Sequence, residues 1–171
     1  RTAFLSRAIL SLTPSTMLPL GTQAPDFSLP DTEGNTVSLS DFKDAKALLI
    51  IFMCNHCPYV KHIRVELAEL VKEYQARGVG AVGINSNNAA AYPEDGPAGM
   101  EACARECGYT FPFLVDETQQ TAKDYQAMCT PEFYVFDSDR KLVYRGQMDD
   151  SRPGNDIPVT GEDLCGALDA A

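Results

Sequence analysis

Seven consecutive apolar residues, Ala47 to Met53 (Ala-Leu-Leu-Ile-Ile-Phe-Met), constrain the fold of this chain more than any other segment. A run this short cannot cross a bilayer as a helix, which takes ~20 residues. Its unbroken apolarity demands cover on both faces, the character of a central strand in a parallel sheet. The period then changes. Val60, Ile63, Leu67, Leu70, Val71 and Tyr74 recur at helical spacing, Lys61, Arg64, Glu66, Glu69, Lys72 and Glu73 fill the other face, and Gly78 closes the segment. The spacing predicts an amphipathic helix lying back on the strand.

The rest of the chain alternates in the same way. Ala24 to Leu29 and Thr36 to Leu39 flank the turn-forming Gly34-Asn35 and read as a small hairpin. Val79 to Asn85 is a second buried strand, Gly99 to Cys107 a helix ending at Gly108, Phe113 to Val115 a short strand, and Thr118 to Met128 a helical stretch. Phe133 to Phe136 and Leu142 to Arg145 form a hairpin, and Gly161 to Ala170 is the last helix. Strands alternating with helices and ending in a hairpin imply an α/β fold with a mixed sheet. With 171 residues the chain is expected to be one domain, residues 21–171, preceded by an extension, residues 1–20. That extension has two arginines and no acid, and its apolar patch at Ala8 to Leu10 and Leu12 is interrupted too early for a secretory signal.

Composition excludes some functions. Fourteen basic against 24 acidic residues leave a net charge of −10, the wrong sign for gripping nucleic acid or an anionic membrane. A chain of this length can bury a core without staples, so its six cysteines are free for other work.

Two of them stand where chemistry is expected. Cys54-Asn55-His56-Cys57 joins the apolar strand to the amphipathic helix. Unpaired N–H groups and the helix dipole favour a thiolate at that junction, and the thiolate is the nucleophile. Cys54 is expected at or just before the first turn, with Lys61, His62 and Arg64 adding positive charge. Cys57 is expected one turn further in and less exposed. Attack by Cys54 and resolution by Cys57 follow. His56 is placed to hydrogen-bond the Cys54 thiolate, or to be a plain turn histidine, and Pro58 to shape the mouth of the site. A zinc site from Cys54, Cys57 and a histidine lacks a second C-x-x-C for its remaining ligands, so no metal and no cofactor is expected. Cys103 and Cys107 share a helix face, in poor geometry for a disulfide. These two and Cys165 read as small core residues. Cys129 reads as a buried residue or as a third thiol near the pair.

The strand, the C-x-x-C, the helix and the later Thr130-Pro131 opening another strand together resemble the thioredoxin superfamily. Ala24-Pro25-Asp26-Phe27-Ser28-Leu29 followed by Leu39-Ser40-Asp41-Phe42 is similar to the redoxin branch shared by peroxiredoxins and TlpA- or ResA-like proteins. Cys54-Asn-His-Cys-Pro-Tyr-Val-Lys-His62, Ile84-Asn-Ser-Asn87, Tyr92-Pro-Glu-Asp95 and Asp149-Asp-Ser-Arg-Pro-Gly154 resemble a group of bacterial redoxin-domain proteins of peroxiredoxin-like or thioredoxin-family type. The resemblance implies a thioredoxin-like fold, a mixed central sheet with helices on both faces and an added N-terminal β-hairpin. It also implies a cis Pro131, after Thr130, packed beside the active disulfide. The expected activity is thiol-disulfide exchange through Cys54 and Cys57, with protein disulfides, dithiols or a thioredoxin-type electron donor as partners. The alternatives are peroxide reduction by the same cysteines, an antioxidant activity, and a non-catalytic redox sensor or binding module. In the peroxidase pattern the attacking cysteine aligns with Cys57, but Ile50, Cys54 and Pro131 stand where that pattern has proline, threonine and arginine. The buried acid of thioredoxin is replaced by Leu48, leaving Glu132 as a weak substitute beside its reading as a solvated edge residue. Thiols beyond one C-x-x-C suit a reducing compartment, so the cytoplasm is expected, with a periplasmic or secreted place as the alternative if residues 1–20 are a signal.

Overall fold

The computed structural model describes residues 17–171; the expectations for residues 1–16 lie outside them. The apolar run forms β3 (Ala47–Phe52), buried along its whole length. It pairs in parallel with β4 (Val79–Asn85), Ala47 opposite Val79 and Phe52 opposite Ile84. On its other side it pairs antiparallel with β6 (Glu132–Phe136). β5 (Phe113–Val115) extends the β4 edge in parallel and β7 (Leu142–Gly146) the β6 edge in antiparallel sense, giving the order β5-β4-β3-β6-β7. The expected hairpin is β1 (Ser28–Pro30) paired with β2 (Thr36–Ser38), a separate two-stranded sheet.

Alternation along β3 divides the core. Leu49, Ile51 and Met53 face one layer, filled by Val60, Ile63, Leu67 and Val71 of α1 (Pro58–Ala76), Met100 of α2 (Pro97–Cys107), and Leu164 and Leu168 of α4 (Glu162–Ala170). Leu48, Ile50 and Phe52 face the other, packed by Leu18, Ala24, Phe27 and Tyr125, with Ala122 of the short α3 (Gln120–Asp124) against them. Each fully buried Leu, Ile or Phe contributes about 1.5–3 kcal/mol, so β3 is the energetic centre of both layers. Helices cover both faces of a mixed sheet, as expected.

Three details differ from the sequence reading. The helical stretch expected over Thr118 to Met128 shrinks to α3, because Gln126 takes a left-handed conformation (φ 54°) and turns the chain. Leu70 is only partly buried. The packed body also starts earlier than Gly21: Leu18 is buried in the second layer, and the Gly21 and Ala24 N–H groups bond Leu142 and Arg140 carbonyls.

Candidate active site

β3 ends at Phe52 and α1 begins at Pro58, so the C-x-x-C occupies the turn between them. Proline at the first helical position is favoured because that N–H has no intrahelical partner. It fixes Cys57 as the N-cap residue, in extended conformation (φ −67°, ψ 123°). This corrects the expected placement. Cys54 lies three residues outside the helix and is fully buried, whereas Cys57 stands at the helix N-terminus and is partly exposed.

Thr130 reaches both sulfurs. Its hydroxyl is 3.4 Å from Cys54 Sγ, and its carbonyl accepts a hydrogen bond from the Cys57 thiol at 3.3 Å. The Thr130–Pro131 peptide that follows is cis. Burial pushes the Cys54 thiol above its ordinary value, opposed by hydrogen bonds from Thr130 and the Cys57 backbone and reinforced by the nearby charge of Asp95. A thiol held protonated in this way is a poor first nucleophile. Cys57 lines an open cavity of about 510 Å³ together with His56, Cys129 and Thr130. A second cavity, about 390 Å³, runs along Tyr59, Pro131, Met148 and Arg152 on the other side of the proline.

The expected electrostatic partners of Cys54 are engaged elsewhere. Lys61 pairs with Glu94 at 3.2 Å, and His62 Nε2 bonds Ser151 Oγ at 2.7 Å. Arg64 lies beside Cys103. His56 bonds through Nδ1 to Asp95 and stacks on Tyr92, ring centroids 3.8 Å apart and nearly parallel. Asp95 itself is buried, on the short turn Pro93–Asp95 ahead of α2. Its Oδ1 accepts the Asn55 N–H at 2.6 Å and the His56 N–H at 3.3 Å, and its Oδ2 accepts Asn87 Nδ2 at 3.4 Å. The Asn55 side chain donates to Glu94 O at 2.7 Å. The Tyr92 to Asp95 motif, whose pattern alone carries no role, holds the C-x-x-C turn.

Glu132 is neither a solvated edge residue nor turned towards the cysteines. It is buried in a bidentate pair with Arg145, whose Nε and Nη2 donate to Oε1 at 2.9 and 2.6 Å, and its Oε2 accepts the Met128 N–H. Arg145 also donates to Gln126 O, so the pair anchors the segment that leads into Thr130. Asp149 plays a similar part below the second cavity. Its carboxylate accepts N–H groups of Ser151, Thr160 and Gly161, which closes the loop after β7 onto the start of α4.

The other cysteines divide. Cys103 is buried and Cys107 and Cys165 are half-buried, with Cys103 and Cys107 sulfurs 3.8 Å apart. Cys129 is exposed at the rim of both cavities, against the expectation of burial. Among the described residues, Cys54, His56 and Asp95 are the one group with atoms spaced as metal ligands are, within 4.8 Å of one another. Both Asp95 oxygens already accept N–H donors, and three ligands fall short of the four of a structural zinc site.

A cysteine at a helix N-terminus over a buried second cysteine, both against a cis-proline loop on a five-stranded mixed sheet, defines a thioredoxin-like dithiol protein. The chain belongs to the redoxin family, whose model matches residues 19–164. Two solved structures are similar over most of its length. An uncharacterized conserved protein from Geobacillus kaustophilus is 57% identical, with a TM-score of 0.88, covering 91% of this chain and 83% of that one. A hypothetical protein from Sinorhizobium meliloti 1021 is 49% identical, with a TM-score of 0.89, covering 91% and 85%. The thiol-disulfide oxidoreductase ResA of Geobacillus thermodenitrificans is 27% identical over 130 residues, 76% of this chain and 70% of that protein.

Proposed function

We propose that the protein is a thiol-disulfide oxidoreductase in which Cys57 attacks and Cys54 resolves. The observation that carries the order is their placement: Cys57 is the partly exposed N-cap of α1, where the helix dipole favours negative charge, and Cys54 is buried behind it. Cys57 as thiolate attacks one sulfur of a substrate disulfide; a Cys57–substrate bond forms and the other substrate sulfur leaves as thiolate. Cys54, once deprotonated, attacks the Cys57 sulfur and releases the second substrate thiol. The protein dithiol has then lost two electrons and the substrate disulfide has gained them. A second dithiol, such as a thioredoxin-type donor, returns the protein to its reduced form by the same steps reversed. Thr130 and Pro131 form the wall against which the substrate sulfur lies, with a cavity on either side to receive the flanking chain. Similarity to ResA supports protein thiols as the substrate class. Free thiols at Cys103, Cys107, Cys129 and Cys165 support a reducing, cytoplasmic setting.

Trapping of the mixed disulfide tests the order. Reduced Cys54→Ser protein, mixed with insulin as disulfide substrate, is expected to accumulate a covalent complex mapped to Cys57, and Cys57→Ser to form none and to lose turnover. A complex through Cys54 in the Cys57→Ser protein, with turnover retained, overturns it.

A further inference from the structure

Arg152 lies on the loop after β7, which is braced at both ends. Asp149 ties the loop to the start of α4 through the Ser151, Thr160 and Gly161 N–H groups. Ser151 Oγ donates to the Ile157 carbonyl at 2.6 Å and accepts from His62 Nε2, which fastens the loop to α1. Asn155 Oδ1 accepts the Arg152 N–H at 3.0 Å. A side chain mounted on this frame is in place before any ligand arrives.

The guanidinium is held in turn. Its Nη1 donates to the carbonyls of Asp149 and Ser151 at 2.7 Å each, and its Nη2 donates to Gln147 Oε1. All three acceptors are neutral, and among the described residues no carboxylate pairs with it. The Nε N–H and one N–H of Nη2 are left for a ligand. A fixed, unpaired, partly exposed cation in a chain of net charge −10 calls for an anion from outside.

We propose that Arg152 is a specificity residue: it receives a carboxylate carried by the substrate peptide beside its reacting disulfide. This role rests on reading the protein as a thiol-disulfide oxidoreductase and is independent of which cysteine attacks. Arg152 lines the cavity of about 390 Å³ whose wall also holds Thr130 and Pro131, and Thr130 touches both active sulfurs. A peptide whose sulfur lies against that wall runs its flanking residues into the cavity. Tyr59, Ile63, Phe133 and Met148 make much of the remaining wall apolar, and an apolar cavity with a few placed polar groups is the usual make-up of a ligand site. Among apolar neighbours a guanidinium–carboxylate pair is stronger than on an open surface.

The acids around the cavity are committed elsewhere. Glu132 is paired with Arg145, and the Asp149 carboxylate is taken up by the three loop N–H groups. Asp150 and Asp163 are exposed and accept the Gln147 amide at 2.7 and 2.8 Å, which keeps them one side chain away from the guanidinium. His62 is bonded to Ser151.

Peptide disulfides that differ only in having Glu, Gln or Lys on both sides of the cysteine read this selectivity. The measured quantity is the second-order rate at which each oxidises the reduced full-length protein, at low and high salt. The wild type is expected to favour Glu over Gln by about tenfold, against the repulsion of its own net charge, and to lose part of that preference in salt. Arg152→Gln is expected to react with the Glu and Gln peptides alike, and Arg152→Lys to keep part of the preference. Arg152→Glu is expected to reverse it towards Lys, which a loosened loop could not do. Equal rates for the Glu and Gln peptides in the wild type overturn the role. A Glu preference that survives in Arg152→Gln, with every peptide slowed by one factor, assigns Arg152 to bracing the loop and overturns it too. If no peptide disulfide oxidises the wild type, the oxidoreductase reading itself falls, and the role of Arg152 with it.

Discussion

At the scale of single residues, the two cysteines acquire different surroundings from the one position that separates helix from turn. The C-x-x-C spacing makes the pair legible but not which thiol is exposed. Pro58 carries that information: as a first helical residue it places Cys57 at the N-cap, whereas a reading that starts the helix near Cys54 exchanges the two exposures. Glu132 departs from the solvated edge residue its position suggests for a different reason. Its partner, Arg145, lies on the neighbouring strand, and no local pattern links the two. Their pair is buried, with the Arg145 side chain 1% exposed, and breaking such a pair strands a charge in the core. Glu132→Leu is expected to lower unfolding stability by about 3–5 kcal/mol, read from urea denaturation. Adding Arg145→Met to it is expected to recover most of that loss, since an apolar pair of similar volume needs no compensation. A double variant as unstable as the single one would show that the ion pair itself, rather than the stranded guanidinium, carries the stability.

At the scale of elements, the strands and the long helix were visible because their periods are strong. β4 and β5 fall where alternation and turn residues place them, and α1 follows its 3.6-residue stripe. The clamp on the C-x-x-C turn was not visible, since it joins Asn55 and His56 to Asp95 across about 40 residues through a three-residue turn with no periodicity. What lets that turn lie so close to α2 is Gly99. A β-carbon there would fall onto the Glu94 carbonyl, 2.8 Å from its carbon, closer than packed atoms approach. Gly99→Ala is therefore expected to push residues 94 and 95 off the helix and to loosen the bonds to Asn55 and His56. The expected result is a stability loss of about 1–3 kcal/mol, read from urea denaturation, and a slower formation of the Cys54–Cys57 disulfide by the reduced protein. A folded Gly99→Ala protein that forms this disulfide at the wild-type rate would separate the turn from the chemistry.

At the scale of the whole molecule, the groups that burial perturbs are mostly those that are neutral at pH 7. The Cys54 and Cys103 thiols and the hydroxyls of Tyr109, Tyr125 and Tyr134 are all pushed up, in each case chiefly by burial. Their protons are held more tightly in the folded chain than in the unfolded one. Below the ordinary thiol value of 9.0 both states are protonated at these sites and the contribution is fully present. Above it the unfolded chain loses protons that the folded chain keeps, so unfolding becomes easier as pH rises, first through the thiols and then, past 10.0, through the tyrosines. The carboxyls of Asp31 and Asp169 are lowered by hydrogen bonds, but both sit at the surface, where solvent screens their interactions. With 24 acidic against 14 basic residues, alkaline conditions also remove positive charge from a chain that already repels itself. Urea midpoints of the reduced protein, measured in steps from neutral to strongly alkaline pH, are expected to hold level and then fall above about pH 9. Cys54→Ala should blunt the first part of that fall, because it removes a thiol whose proton the fold protects, and leave the tyrosine part in place. A midpoint that stays level well past the thiol range would mean that the buried thiols ionise as readily in the folded chain as in the unfolded one.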